Sequence, residues 1–191
     1  RRTEFILGDI KIYEELSSME KVYIEVTNLD INTEYSDFGS FEYNDILYFA
    51  SGRNTTNKLY DWNEEPFLDI YQVDVTDNNG VKSFAKPGFI MADQVNTDYH
   101  EASVAITNDG GTVYFTRDNV NKRNRLDYDK KGTTHLKIYK ASLNNGTWKD
   151  IEELPFNDDV FSTGHPALSP DNKTLYFVSD RDVEGSFGQT D

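Results

Sequence analysis

The sequence contains no cysteine. That absence excludes a disulfide framework, a thiolate metal site and a cysteine nucleophile together, and it leaves the redox compartment open. Long apolar runs are missing too: no window approaches the roughly 18 consecutive apolar residues of a membrane helix, which argues against direct membrane insertion. Basic residues are scarce, 19 Lys and Arg against 34 Asp and Glu, so the 191-residue chain carries a formal charge of −15. Such a field repels phosphate backbones and anionic headgroups, so nucleic acid is excluded as a partner class. Residue 1 is Arg, and no signal-peptide succession of basic, apolar and small residues follows it. The expectation is a processed or partial piece.

Apolar residues make up only 37% of the chain, yet aromatics reach 14%, with 12 Tyr and 12 Phe. A core is within reach only if the rings carry it.

What is present is repetition. Asn32-Thr33-Glu34-Tyr35-Ser36-Asp37 returns 64 residues later as Asn96-Thr97-Asp98-Tyr99-His100-Glu101. Leu47-Tyr48-Phe49-Ala50-Ser51 returns as Val113-Tyr114-Phe115-Thr116-Arg117 and as Leu175-Tyr176-Phe177-Val178-Ser179, at spacings of 66 and 62 residues. Asp69-Ile70-Tyr71 returns as Lys137-Ile138-Tyr139, with an earlier copy in Lys11-Ile12-Tyr13-Glu14. A period of this size marks a repeat architecture.

Inside each module a first short run meets the Tyr-Phe run through Tyr43-Asn44-Asp45, Asn108-Asp109-Gly110-Gly111 or Ser169-Pro170-Asp171-Asn172-Lys173. Asn, Asp and Gly tolerate positive φ and Pro presets a turn position, so these are hairpin turns. Long polar loops follow, Gly52 to Leu68 and Asp118 to Leu136, then the Ile-Tyr run and a last run such as Gly88 to Asp93. Four β-rich runs per module predict an all-β chain of four-stranded antiparallel sheets, and sheets of that kind bury their faces by stacking radially as the blades of a β-propeller. The only helical candidate, Glu14 to Glu20, is short and is read as a turn or loop. The phasing gives a half blade or entry segment (1–31), two full modules (32–95 and 96–158) and the first half of a third (159–191), about three blades in an incomplete ring. The Tyr-Phe and Ile-Tyr markers lie 23 and 25 residues apart in the full modules, whereas only 15 residues follow Tyr176, so a further Ile-Tyr strand is expected beyond position 191.

Gly164 to Arg181, with Ser169-Pro170-Asp171-Asn172-Lys173-Thr174-Leu175-Tyr176-Phe177-Val178-Ser179-Asp180-Arg181, resembles the S-P-D-G-K-x-L-Y-F-x-S-D-R signature of WD-like propeller repeats in OmpA-family cell-envelope proteins of Bacteroidota. Asn172 replaces the usual Gly, and Gly185 to Asp191 resembles the Gly-rich stretch that follows the signature. The resemblance implies a periplasmic, outer-membrane-associated scaffold whose partners are envelope proteins of an outer-membrane secretion (type 9) or gliding-motility complex. In such proteins peptidoglycan is gripped by a separate OmpA-like domain, so no residue of this chain is assigned to it.

Candidate chemistry is thin. His100, His135 and His165 lack the paired spacing of a metal site. Asp127-Tyr128-Asp129 opens like a calcium loop, but Lys stands where a third oxygen ligand belongs and no Glu closes the twelfth place, so a solvated loop is expected. Asp171 reads as turn chemistry rather than a sialidase Asp box. Glu64-Glu65, Glu152-Glu153 and Asp158-Asp159 are adjacent acids whose side chains diverge, and no G-x-S-x-G elbow is present. No catalytic, cofactor or metal residues are assigned. Tyr60, Trp62, Arg123 and Tyr128 sit in the two long loops and belong to the residue types that dominate protein interfaces, so they are the expected protein-binding residues. The expected function is a non-enzymatic protein–protein interaction scaffold. The alternatives are the propeller domain of a glycoside hydrolase or peptidase, or a calcium-dependent adhesion or carbohydrate-binding module.

Overall fold

A computed structural model describes residues 17–19, 27–89 and 95–186. The chain divides into two units, Arg1–Asp30 and Ile31–Asp191. Of the first, Ser17 and Ser18 are helical, and the Lys11–Glu14 marker and most of Glu14–Glu20 lie outside the described residues.

The second unit is built from antiparallel sheets. Alternation of β-branched and aromatic residues produces the first, β1 (Asp37–Tyr43), β2 (Ile46–Ser51), β3 (Asp69–Asn78) and β4 (Val81–Phe84) in consecutive order, with β5 (Gly88–Phe89) also on β3. The second holds β6 (Glu101–Ile106), β7 (Thr112–Asp118), β8 (Leu136–Asn144) and β9 (Thr147–Glu153), again in consecutive order. The third pairs β10 (Thr163–Leu168) with β11 (Leu175–Ser179). The Asn44-Asp45 turn has φ of 48° and 59°, the left-handed pair that a two-residue hairpin demands. Asp109 and Asp171 act as the turn chemistry predicts, their Oδ1 atoms accepting the amides of Gly111 (2.9 Å) and Lys173 (3.2 Å).

The fourth strand of the first sheet begins earlier than the Gly88–Asp93 run suggests. It starts at Val81, opposite Asn78, and breaks at Ala85-Lys86-Pro87 before Gly88 pairs with Gln72. Proline has no N–H to give the ladder, which accounts for the interruption. Residues 90–93 lie outside the described residues.

Each first strand carries a bulge, between Phe38 and Phe41, Ala102 and Val104, and Gly164 and Ala167. Each bulge contains a left-handed residue: Gly39 (66°), Ser103 (48°) and His165 (54°). These aligned positions touch in order, because β6 lies against both β1 and β10. A Cβ on Gly39 would meet Ser103 Oγ at 3.3 Å, and Ser103 Oγ lies 3.0 Å from His165 Nδ1. The hairpin tips also touch: the Tyr43 hydroxyl donates to the Asn108 carbonyl (2.9 Å), and the Asn108 amide donates to Asn172 Oδ1 (2.6 Å).

The core between the first two sheets contains Tyr48, Ile70, Val95, Val104, Ile106, Val113, Phe115, Tyr139 and Trp148. Phe49 takes the other face of the first sheet with Leu47, Tyr71 and Val73, as a period of two requires. Phe115 is fully buried and stacks on Tyr139 with centroids 6.0 Å apart. Phe115→Ala should therefore lower stability by about 3–5 kcal/mol, measured by urea denaturation. Lys130→Ala, at an exposed loop position, should leave the midpoint unchanged; equal midpoints for both variants would remove Phe115 from the core.

Candidate functional site

The Asn-Thr boxes form the joints on which the site rests. Asn96 reaches β3 of the preceding sheet, where its Oδ1 accepts the Ile70 amide (2.8 Å) and its Nδ2 donates to the Ile70 carbonyl (3.0 Å). Asn157 does the same to Ile138, at 3.0 and 2.7 Å. An Asn side chain carries one donor and one acceptor in the geometry of a peptide, so it extends the ladder where no strand runs. Asn96→Leu would leave two buried backbone groups unpaired at about 1–3 kcal/mol each. The expected outcome is a marked drop in the unfolding midpoint; a midpoint within error of the parent would show that the clamp contributes nothing.

Within each box a threonine holds the acid. Thr97 donates its amide to Glu101 Oε2 (2.9 Å) and its hydroxyl to Oε1 (2.7 Å), and Thr33 gives both its donors to Asp37 Oδ2. Glu101 has no exposed surface, and Arg117 Nε meets its Oε1 at 3.0 Å. Burial pushes the Glu101 carboxyl upward, while Arg117 and the Thr97 donors pull it back.

In a meander of this order the β2–β3 and β7–β8 loops leave the same end of their sheets as the boxes. Both loops are tightly organised. In the first (52–68), Leu59 bridges Pro66, the Tyr60 amide donates to the Glu65 carbonyl (2.8 Å), and Phe67 packs on Tyr99 and His100 with centroids 5.5 and 4.5 Å away. In the second (119–135), Val120 bridges Leu126, and Asp129 Oδ1 accepts the Lys131 and Thr133 amides while Oδ2 lies 3.2 Å from His135 Nε2. Asp129 is thus engaged in turn closure.

A cleft of about 520 Å³ opens between the two loops, lined by Lys58, Tyr60, Phe67, Asp118, Leu126 and Tyr128 among others. Tyr60 also borders a smaller hollow of about 260 Å³ together with Trp62, Phe38 and His100. Three of the four expected binding residues therefore gather around Tyr60, with Trp62 83% and Tyr128 62% exposed. Arg123 stands apart: its amide closes a turn on Asn121 Oδ1 (2.9 Å), and it lines neither hollow.

Sequence reasoning missed Lys58, His100 and Asp118. Lys58 Nζ lies 3.2 Å from Asp98 and 5.0 Å from the Tyr99 ring centroid. His100 Nδ1 accepts the Leu68 amide (3.1 Å), which places the ring proton on Nε2. The signal for His100 was its place inside the Asn-Thr box, and for Asp118 its place directly after the Val113–Arg117 run.

Compared with known proteins, the chain matches no family model, no curated protein and no solved structure.

Burial lowers His100 to about 4, whereas burial raises Asp69 and Asp118 to about 6. Neutral His100 contributes stability that is present above its ordinary value of 6.5 and is lost as pH falls towards 4. The two aspartates act in the opposite sense, favouring the fold below 3.8 and losing that contribution as pH rises through 6. The difference in stability between the parent and His100→Gln isolates the histidine. It should shrink between pH 7.5 and pH 5 by up to about 1.4 kcal/mol per unit; a difference constant across that range in denaturant titrations contradicts the assignment of a buried neutral ring.

Proposed function

We propose that the three sheets are consecutive blades of a β-propeller, and that this propeller is a non-enzymatic docking scaffold for proteins of the bacterial cell envelope. The observation that carries the reading is the recurrence of one joint. Asn96 and Asn157 make the same pair of bonds to Ile70 and Ile138, and the first strands stand side by side through Gly39, Ser103 and His165. Repeated joints between repeated four-stranded sheets are what radial stacking requires.

The docking role is supported by the rim at the loop end. Trp62 and Tyr128 are large, exposed aromatics beside hollows, held by loops that are internally hydrogen-bonded and so lose little entropy when a partner binds. The envelope setting rests on the resemblance of Gly164–Arg181 to the WD-like repeats of OmpA-family proteins. On that reading the chain is the propeller part of a peptidoglycan-associated protein that supports an outer-membrane secretion or motility complex.

The test is a Trp62→Ala, Tyr128→Ala double variant expressed in the native cell and cross-linked in place. Both side chains are exposed, so stability should change little, while truncation of a hot-spot aromatic costs about 2 kcal/mol or more, a thirtyfold loss in affinity. Envelope partners recovered with the parent should be lost. Recovery of every partner at parental yield overturns the docking reading.

A further inference from the structure

The floor of the larger cleft holds a carboxylate that the protein leaves half-used. Asp118 is 7% exposed, and its Oδ2 accepts the His100 amide at 3.2 Å. Among the described residues no donor reaches Oδ1. In the third sheet the aligned Asp180 makes the same bond to the Ser162 amide (2.6 Å), but Asp180 is exposed, where water completes its shell. Asp118 has no such recourse except through the cleft that it lines. Lys58, the cation lining the same cleft, is engaged with Asp98.

We propose that this cleft receives one basic side chain, Lys or Arg, presented by a partner protein, with its cationic head at Asp118 and its stem along Tyr60 and Tyr128. Three features point to a cation. A carboxylate oxygen that no donor among the described residues reaches and that opens only onto the cleft is a ready acceptor there, and a cationic N–H supplies both a hydrogen bond and a counter-charge. Aromatic side chains along the walls favour a cation through their ring faces. The net charge of −15 draws a basic partner and repels an acidic one. Burial holds the Asp118 carboxyl at about 6, so it is largely ionised at neutral pH and still lacks a counter-charge.

The inference rests on the docking reading and names the chemistry of the partner. The probes are N-acetyl-lysine methylamide and N-acetyl-arginine methylamide, titrated at pH 7.5 into the isotope-labelled protein and followed at the backbone amides of Asp118, Thr133 and Thr134. Saturable shifts with both probes are expected, none with N-acetyl-norleucine methylamide, and a loss of at least tenfold in affinity for Asp118→Asn. Asp45→Asn, in the exposed β1–β2 turn at the opposite end of the first sheet, should change affinity less than twofold. Tyr128→Ala provides a second variant, expected to weaken both probes severalfold, should Asp118→Asn fold poorly. Equal shifts with the norleucine compound, no saturable shift, or saturable binding of a disaccharide that Asp118→Asn leaves intact would each overturn the proposal. If the Trp62/Tyr128 double variant loses its cross-linked partners while Asp118→Asn keeps them all, the docking reading stands and this inference fails. If the double variant keeps them, the docking reading itself has failed.

Discussion

A guanidinium clamped between a carboxylate and two aromatic faces fixes how each of the first two sheets is entered. Arg117 binds Glu101, donates to the Val95 carbonyl just before the Asn96 clamp, and lies over Phe115 and Tyr139 with its Cζ 5.1 Å from each centroid. The same group ties the box to β6, to the core and to β8. In the first sheet Arg53 performs the equivalent task, bonding Asp37 (2.7 Å) and the Ile31 carbonyl (3.0 Å) over Phe49 and Tyr71. Deleting one partner of a buried pair strands the other charge, a loss of about 3–5 kcal/mol. Planarity is essential, since only a guanidinium can present hydrogen bonds at its edge and a flat face to rings at once. The third sheet keeps Arg181 on the Phe156 carbonyl and near Phe161, but Thr163 stands where Glu101 would be. Its hydroxyl is buried without a hydrogen-bond partner among the described residues.

From that anchor the position of the loops follows. Once the box is tied to β6 and clamped to β3, Tyr99 and His100 are held where Phe67 and Tyr60 pack on them, with Tyr60 edge-on to His100 at 4.7 Å. The first loop therefore takes its shape from the second module's box. Exposed aromatics at its tip, Trp62 above all, are presented from a fixed base rather than from a coil.

Local chemistry made much of this legible in the sequence. The Tyr-Phe and Ile-Tyr runs and the Asn-Asp and Asp-Gly turns depend on period and backbone conformation alone, and they gave the sheets and their hairpins. The Asn-Thr box was visible as a repeat, but its purpose was not, because a clamp to another sheet is a property of two segments 26 residues apart. The arginine anchor was obscured by its own variation: alignment sets Ser51 opposite Arg117, and Arg53 reaches the same place from two residues later, its Nε donating to Ser51 Oγ at 2.8 Å. Arg123 was chosen by residue type, and residue type carries no information about which side of a loop a residue occupies.

The cleft arises where the copies differ. Three box amides need an acceptor at the end of the second strand: Ser36, His100 and Ser162. Asp118 and Asp180 supply it from that position, but the first module has Gly52 there and borrows the carboxylate of Glu65 (3.1 Å) from its own loop. Gly52 allows this, since a Cβ would lie 3.3 Å from the Pro66 carbonyl oxygen and 3.5 Å from Glu65 Oε2. The first loop thus folds back over its sheet to supply that acceptor. In the second module the acid comes from the strand, so the second loop has no need to fold back, and Asp118 is left lining an open space between the two loops. One glycine-for-aspartate difference in a repeated position therefore accounts both for the folded-back first loop and for the carboxylate beside it that faces the cleft with one oxygen free of donors among the described residues.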